Sequence, residues 1–288
     1  MIKLKRSRAV SFLIILIVYV LAIFTSIYSY CQLPFNFIVN LLLADIIGTI
    51  VVFIFSLILK NSSTYDPYWS VAPIVISACF LFGNEISISK MLCFIAISIW
   101  GIRLTLNWAY TFKNLHHQDW RYTMLKEKTG VFYPIINFLG IHLFPTIVVY
   151  LCMLPAVYMF KHSSGYNILT IVFLLVSIFA VIIQGISDYQ MHRYRKRGVK
   201  GLIREGLWKY SRHPNYLGEI IMWWGILGMY IFTNFNHFYL FLGPLLNTLM
   251  FIFISIPLAE GRQKQTKEGF LEYKKETRML LPIKKVRR

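Results

Sequence analysis

The stretch AVSFLIILIVYVLAIFTSIYSYC, residues 9–31, decides the fold class. It carries no ionisable side chain except tyrosine and cysteine, and it is long enough to cross a bilayer as a helix, which takes about 20 apolar residues. It shows no apolar–polar alternation, so it does not read as a strand of a membrane barrel. In hydrocarbon the backbone must satisfy its own hydrogen bonds, and a continuous apolar run does so only as a helix. The pattern recurs down the chain, and we place helices at about 35–59, 69–84, 88–112, 136–160, 166–189, 214–233 and 238–259. The expectation is an all-α polytopic bundle of seven to nine spans, eight preferred. The first run lacks a small-residue cleavage site and reads as an anchor rather than a removable signal.

Composition agrees. Of 288 residues 57% are hydrophobic and 15% charged, against about 25% charged in ordinary soluble domains; mean hydropathy is +0.58. The net charge of +18 is unevenly distributed. Lys and Arg number four in 1–8, four in 113–134, eight in 190–213 and ten in 260–288. With eight spans all four segments fall on one side, the positive-inside pattern, which predicts cytoplasmic termini. The same charge suits anionic headgroups of membrane lipids. A nucleic-acid partner would need a soluble basic face, which this chain does not offer. Four cysteines, Cys31, Cys79, Cys93 and Cys152, stand singly in or at the end of apolar runs and read as buried spacers. Neither they nor the adjacent His116 and His117 form a metal-binding spacing, so no metal is expected.

The reactive residues concentrate in the second half, which divides the chain into membrane helices at 1–112 and a half with long polar loops at 113–288. One motif dominates: GLWKYSRHPNYLGEIIMWWG, Gly206 to Gly225. Pro214 suits the first turn of a helix, where its missing N–H has no intrahelical partner. Lys209, Arg212 and His213 then sit before a helix N-terminus, which favours an anion. Asn215 and Glu219 share a face, as do Tyr216, Glu219 and Trp223. An ionisable Glu219 inside a span is functional unless it is paired; a basic cluster with Glu219 in a structural ion pair is the plainer alternative.

In QGISDYQMHRYRKRG, Gln184, Asp188, His192 and Arg195 form one helical stripe. Such a stripe grips an amide, a ribose or phosphates, or it is a snorkelling basic end with Asp188 as counter-ion. Glu260 and Arg262 lie just beyond the last span, near enough to line a cavity. Arg103 falls inside the fourth span, with Asp119, Arg121 and Tyr122 on the next loop as its expected polar neighbourhood.

The long motif, together with YDPYWSVAP (65–73), QDWRY (118–122), SDYQMHRYRKRG (187–198) and FLEYKKETRMLLP (270–282), resembles steroid 5-alpha-reductase-like membrane proteins over roughly 65–282. The resemblance implies a helical membrane enzyme that binds NADPH in its C-terminal half and reduces a carbon–carbon double bond of a lipid-soluble substrate. By matching position, Asp188, Arg195, Asn215 and Glu219 would contact the cofactor. Gln184 on the same stripe, Tyr210, Arg212, His213 and Tyr216 of the long motif, and Glu260 complete the cofactor candidates. Steroid reductases hold the substrate carbonyl with a Glu–Tyr pair in the N-terminal half; Tyr65, Asp66 and Tyr122 are the candidates here. The endoplasmic reticulum membrane or a bacterial inner membrane would suit a cytoplasmic cofactor face. Arg212, His213, Pro214, Tyr216 and Gly218 also satisfy the shorter RHPxYxG motif of isoprenylcysteine carboxyl and phospholipid methyltransferases, which would make S-adenosylmethionine the cofactor. A lipid-binding scaffold without activity is the non-enzymatic alternative.

Overall fold

The computed structural model describes residues 7–162, 166–198, 201–232 and 234–282; the first basic residues and the terminal KKVRR lie outside them. The described chain is an all-α polytopic bundle without strands. The first helices are α1 (Arg8–Gln32), α2 (Phe37–Leu59), α3 (Tyr68–Phe82), α4 (Ile88–Thr111) and α5 (Trp120–Thr129). A short turn, Tyr133–Ile136, and a π-helical segment, Asn137–Leu143, lead into α6 (Phe144–His162). Then come α7 (Ile168–Lys196), α8 (Pro214–Ile231), α9 (Leu242–Met250), a second π-helical segment (Phe251–Ser255), α10 (Ile256–Thr266) and α11 (Phe270–Glu276). Among the described residues six helical stretches are long and apolar enough to cross a membrane; α3, with 15 residues, and α8, with 18, are not among them.

Local chemistry sets the boundaries. The Ser7 side chain caps α1 by accepting from Val10 N–H, and Asn36 caps α2 by accepting from Ile38 and Val39. Asn167 and Thr170 form a reciprocal capping box on α7, satisfying N–H groups that have no intrahelical partner. Pro214 occupies the first turn of α8 as expected. Helix α7 runs to Lys196, seven residues past the predicted end at 189. The cause is that Gln184, Asp188 and His192 are bonded to a neighbouring helix, which holds the polar extension in helical register.

Helix α6 is the hub, packed by α2, α3, α4, α8 and α9. The larger apolar cluster surrounds it, with Trp100, Met153, Phe160, Met222, Trp223 and Tyr230 fully buried. A smaller cluster lies between α1, α2 and α3 around Val18, Ala22, Val52 and Tyr68. Cys93 and Cys152 are buried spacers, but Cys31 and Cys79 face outward, which corrects the expectation for those two.

The tightest pair is α7 with α8. Two glycines seven apart make it possible. A Cβ on Gly218 would lie 2.7 Å from the Ala180 carbonyl oxygen, and one on Gly225 2.1 Å from Ser177 Oγ. The Ala180 contact is backbone and cannot rotate away. A Gly218→Val variant is therefore expected to lose at least the roughly 1–3 kcal/mol of an overpacked core site. Thermal unfolding in detergent measures this, and Gly185→Val, where a Cβ would meet nothing within 4 Å, is the control that retains the wild-type melting temperature.

Candidate functional site

Three helices converge on Glu219, which is 4% exposed. Trp100 Nε1 of α4 donates to both carboxylate oxygens at 2.9 Å, and Trp223 Nε1, one turn along α8, donates at 3.1 Å. Gln184 Nε2 of α7 donates at 3.2 Å, and the Arg103 guanidinium lies 3.6 Å away. Arg103 also donates to Asp188 Oδ2 at 2.7 Å and to Gln184 Oε1. Two carboxylates on two helices thus share one arginine from a third, which is how charges survive inside a bundle. The predicted neighbourhood of Arg103 is thereby corrected. Its partners are Asp188, Gln184 and Glu219, not Asp119, Arg121 and Tyr122, because α4 packs against α7 and α8 along this face.

The network leaves two buried polar atoms with no hydrogen-bond partner among the described residues: Arg103 Nε and Asn215 Oδ1, the latter one turn before Glu219 on α8. One is a donor and one an acceptor. Arg195 lies further along α7, exposed, in the field of Asp188 and His192. His192 Nε2 sits 2.7 Å from Asn107 Oδ1. Tyr216 stacks on His213 with ring centroids 5.3 Å apart, and Arg121, Asp119 and Asp188 act on it electrostatically.

Arg212, His213 and Glu260 meet, but as a clasp. Arg212 Nε donates to Glu260 Oε1 at 2.8 Å, His213 Nε2 lies 3.2 Å from the same oxygen, and Lys274 Nζ is 2.9 Å from Oε2. Arg212 also donates to the Thr277 carbonyl, its backbone N–H donates to Arg278 O at 2.9 Å, and Tyr273 Oη donates to Trp208 O at 2.5 Å. The tail is thus tied onto the turn that precedes α8. Burial holds the His213 imidazole below its usual pKa, with Glu260 pulling the other way. Lys209 and Tyr210 lie exposed beside the clasp. Arg212, Leu271, Lys274 and Lys275 line a recess of about 420 Å³ there. Arg262 stands over the Trp120 ring at 4.2 Å.

The N-terminal half holds a second polar cluster. Tyr65 Oη is 2.8 Å from Thr146 Oγ1, itself 2.9 Å from Thr49 Oγ1. Tyr68 Oη donates to Asp45 Oδ1 at 3.5 Å, and Asp45 is 6% exposed. Tyr122 Oη donates to Asp66 Oδ1 at 2.5 Å. Trp69 separates this cluster from the first, its ring 6.1 Å from Trp100, which in turn meets Trp223 at 4.9 Å. Asp45 was missed in the sequence, although an ionisable residue inside NLLLADIIGTIVV (40–52) is the same signal that marked Glu219 and Arg103.

Burial pushes the Asp66 carboxyl up to about 6, against the pull of Arg121 and of the Tyr122 hydroxyl. A raised carboxyl pKa means that the fold binds a proton the unfolded chain has lost between about pH 4 and pH 6, so this group's contribution to stability declines as pH rises through that window. An Asp66→Asn variant, whose amide oxygen still accepts from Tyr122, is expected to flatten that decline in melting temperature measured against pH.

An uncharacterized protein of Schizosaccharomyces pombe is 24% identical over 244 residues, covering 73% of this chain and 69% of the yeast protein. No solved structure matches. The family model described as "Protein of unknown function (DUF1295)" matches residues 52–277. That span takes in the Arg103–Asp188–Glu219 network, the clasp and the Asp66–Tyr122 pair, and this chain belongs to the DUF1295 family.

Proposed function

We propose that the chain is an integral membrane oxidoreductase that reduces a carbon–carbon double bond, conjugated to a carbonyl, in a lipid-soluble substrate with NADPH. The observation that carries this reading is the pair of unspent buried groups beside a charged network, Arg103 Nε and Asn215 Oδ1. A donor and an acceptor of this kind would suit a carboxamide, which offers the complementary acceptor and donor. Asp188 is a carboxylate suited to a ribose hydroxyl. Arg195, Lys209 and Lys275 supply cations for phosphates, the last of them in the recess beside the clasp. NADPH, when bound, supplies hydride.

The protein's own part is to hold the acceptor dry and polarised. Tyr68 presents a phenol whose single hydrogen, held by Asp45 at a long 3.5 Å, turns to the substrate carbonyl when the substrate binds, so that electron density leaves the beta carbon. The Asp66–Tyr122 pair, nearer the connecting segments, is the second phenol–carboxyl pair suited to this role. Trp69, Trp100 and Trp223, in successive ring contact, would flank the reacting groups and keep water from them.

Methyl transfer from S-adenosylmethionine is the rival reading. The shorter RHPxYxG motif favours it; the hydrogen bonds that commit Arg212 and His213 to Glu260 and the tail bear on both readings alike. Incubation of the purified protein with a membrane lipid extract, in parallel with NADPH and with S-adenosylmethionine, tests the reductase reading. NADPH oxidation with appearance of a saturated lipid is expected; methylated lipid formed from S-adenosylmethionine instead would overturn it.

A further inference from the structure

The π-helical segment Asn137–Leu143 gives up regular helical hydrogen bonding immediately before the hub helix, and such bulges are frequent at functional sites. Two side chains on it are fully buried and carry an atom with no hydrogen-bond partner among the described residues: His142 Nε2 at 0% residue exposure and Asn137 Oδ1 at 1%. Their chemistry is fixed by their other bonds. His142 Nδ1 faces the Asn137 carbonyl oxygen at 2.9 Å, so Nδ1 carries the proton and Nε2 is a lone pair. Ser56 Oγ gives its hydrogen to Phe53 O at 2.7 Å, so it accepts from the Asn137 amide nitrogen at 3.3 Å, and Oδ1 is left over. Both unpartnered atoms are therefore acceptors.

Aromatic rings line the place. The Phe53 ring lies 5.4 Å from His142 and 4.9 Å from Phe138, and the Tyr65 ring lies 4.9 Å from His142. Phe53 and Phe138 are half-buried, while the adjoining Leu139 and Gly140 are exposed, and a Cβ on Gly140 would meet nothing within 4 Å. A ligand from the bilayer thus has an apolar approach to two buried acceptors. A carbonyl or ether finds no donor there, whereas a hydroxyl head finds an acceptor.

We propose that His142 and Asn137 form a binding site for the head of a long-chain lipid alcohol with two donor hydrogens, a vicinal diol being the simplest, which enters from the bilayer past Phe53 and Phe138. The site does not depend on the reductase reading, because neither residue touches the Glu219 network and no cofactor is needed for binding.

The test uses the full chain in detergent with three probes: a long-chain vicinal diol, the matching primary alcohol and its methyl ether. Affinity is expected to fall from diol to alcohol to ether by about tenfold for each hydrogen bond lost. In His142→Phe or Asn137→Leu one acceptor remains, so the diol is expected to lose its advantage over the alcohol, and in the double variant the difference between alcohol and ether is expected to vanish as well. Nitrogen-15 NMR of the histidine-labelled wild type supplies a readout that needs no variant: the Nε2 resonance of His142 shifts with the diol and not with the ether. Equal affinities for the three probes, no binding, or an unmoved Nε2 resonance would mean that water alone serves these acceptors, and the proposal fails.

Discussion

An Arg103→Leu variant is expected to lose about 3–5 kcal/mol of stability, the cost of breaking a buried ion pair by removing one partner. Leucine fills the space but leaves Asp188 and Glu219 facing each other without a cation between them. Glu219 keeps its two tryptophan donors and Gln184, which do not neutralise its charge. The companion variant separates charge from packing. Arg103→Leu combined with Asp188→Asn and Glu219→Gln is expected to recover most of the loss, since two neutral amides retain hydrogen-bonding capacity without a buried charge. Thermal unfolding in detergent measures both. A single variant as stable as wild type would show that the arginine does not hold the three helices together.

Tyr68→Phe is expected to lower kcat by about 10²–10³-fold, the usual consequence of removing one donor to a developing oxyanion, while the affinity for NADPH stays as in wild type. The separation is the point: Tyr68 lies in the N-terminal cluster, beyond Trp69 and Trp100 from the Glu219 network. Asn215→Leu is expected to do the reverse, weakening the cofactor while leaving the polarising phenol intact. Turnover of an enone lipid with each variant checks the pair, and an unaltered kcat in Tyr68→Phe would remove that phenol from the mechanism. Should Tyr122→Phe lower kcat instead, the Asp66 pair is the electrophile.

The spans were legible because hydrophobic length alone dictates a helix in a membrane, and the observed α1, α2 and α4 end within two residues of their predicted limits. The end of α7 was not, because its last two turns are polar and are fixed by contacts with α4 rather than by local pattern. The π-helical segments carry no marker in hydropathy, since their residues are as apolar as ordinary helix. At the site, Glu219, Asp188 and Gln184 were legible from spacing and from the rarity of charge in a span. Their link to Arg103 was not, because Arg103 and Asp188 stand 85 residues apart and no periodicity relates them. The same limit hid the clasp, in which Arg212 reaches Glu260 across 48 residues. Asp45 was readable in principle: the rule that singled out Glu219 applies to it equally, but no charged partner nearby in the sequence drew attention to it.

The central claim is that the groups around Arg103, Asn215 and Asp188 hold a reduced dinucleotide. Its most direct test is equilibrium binding to the purified full-length protein, with NADPH and S-adenosylmethionine titrated separately into wild type and into Asn215→Leu. The account predicts saturable binding of NADPH that weakens about tenfold or more in the variant, and no binding of S-adenosylmethionine. Saturable binding of S-adenosylmethionine alone, or NADPH affinity indifferent to Asn215, would contradict it.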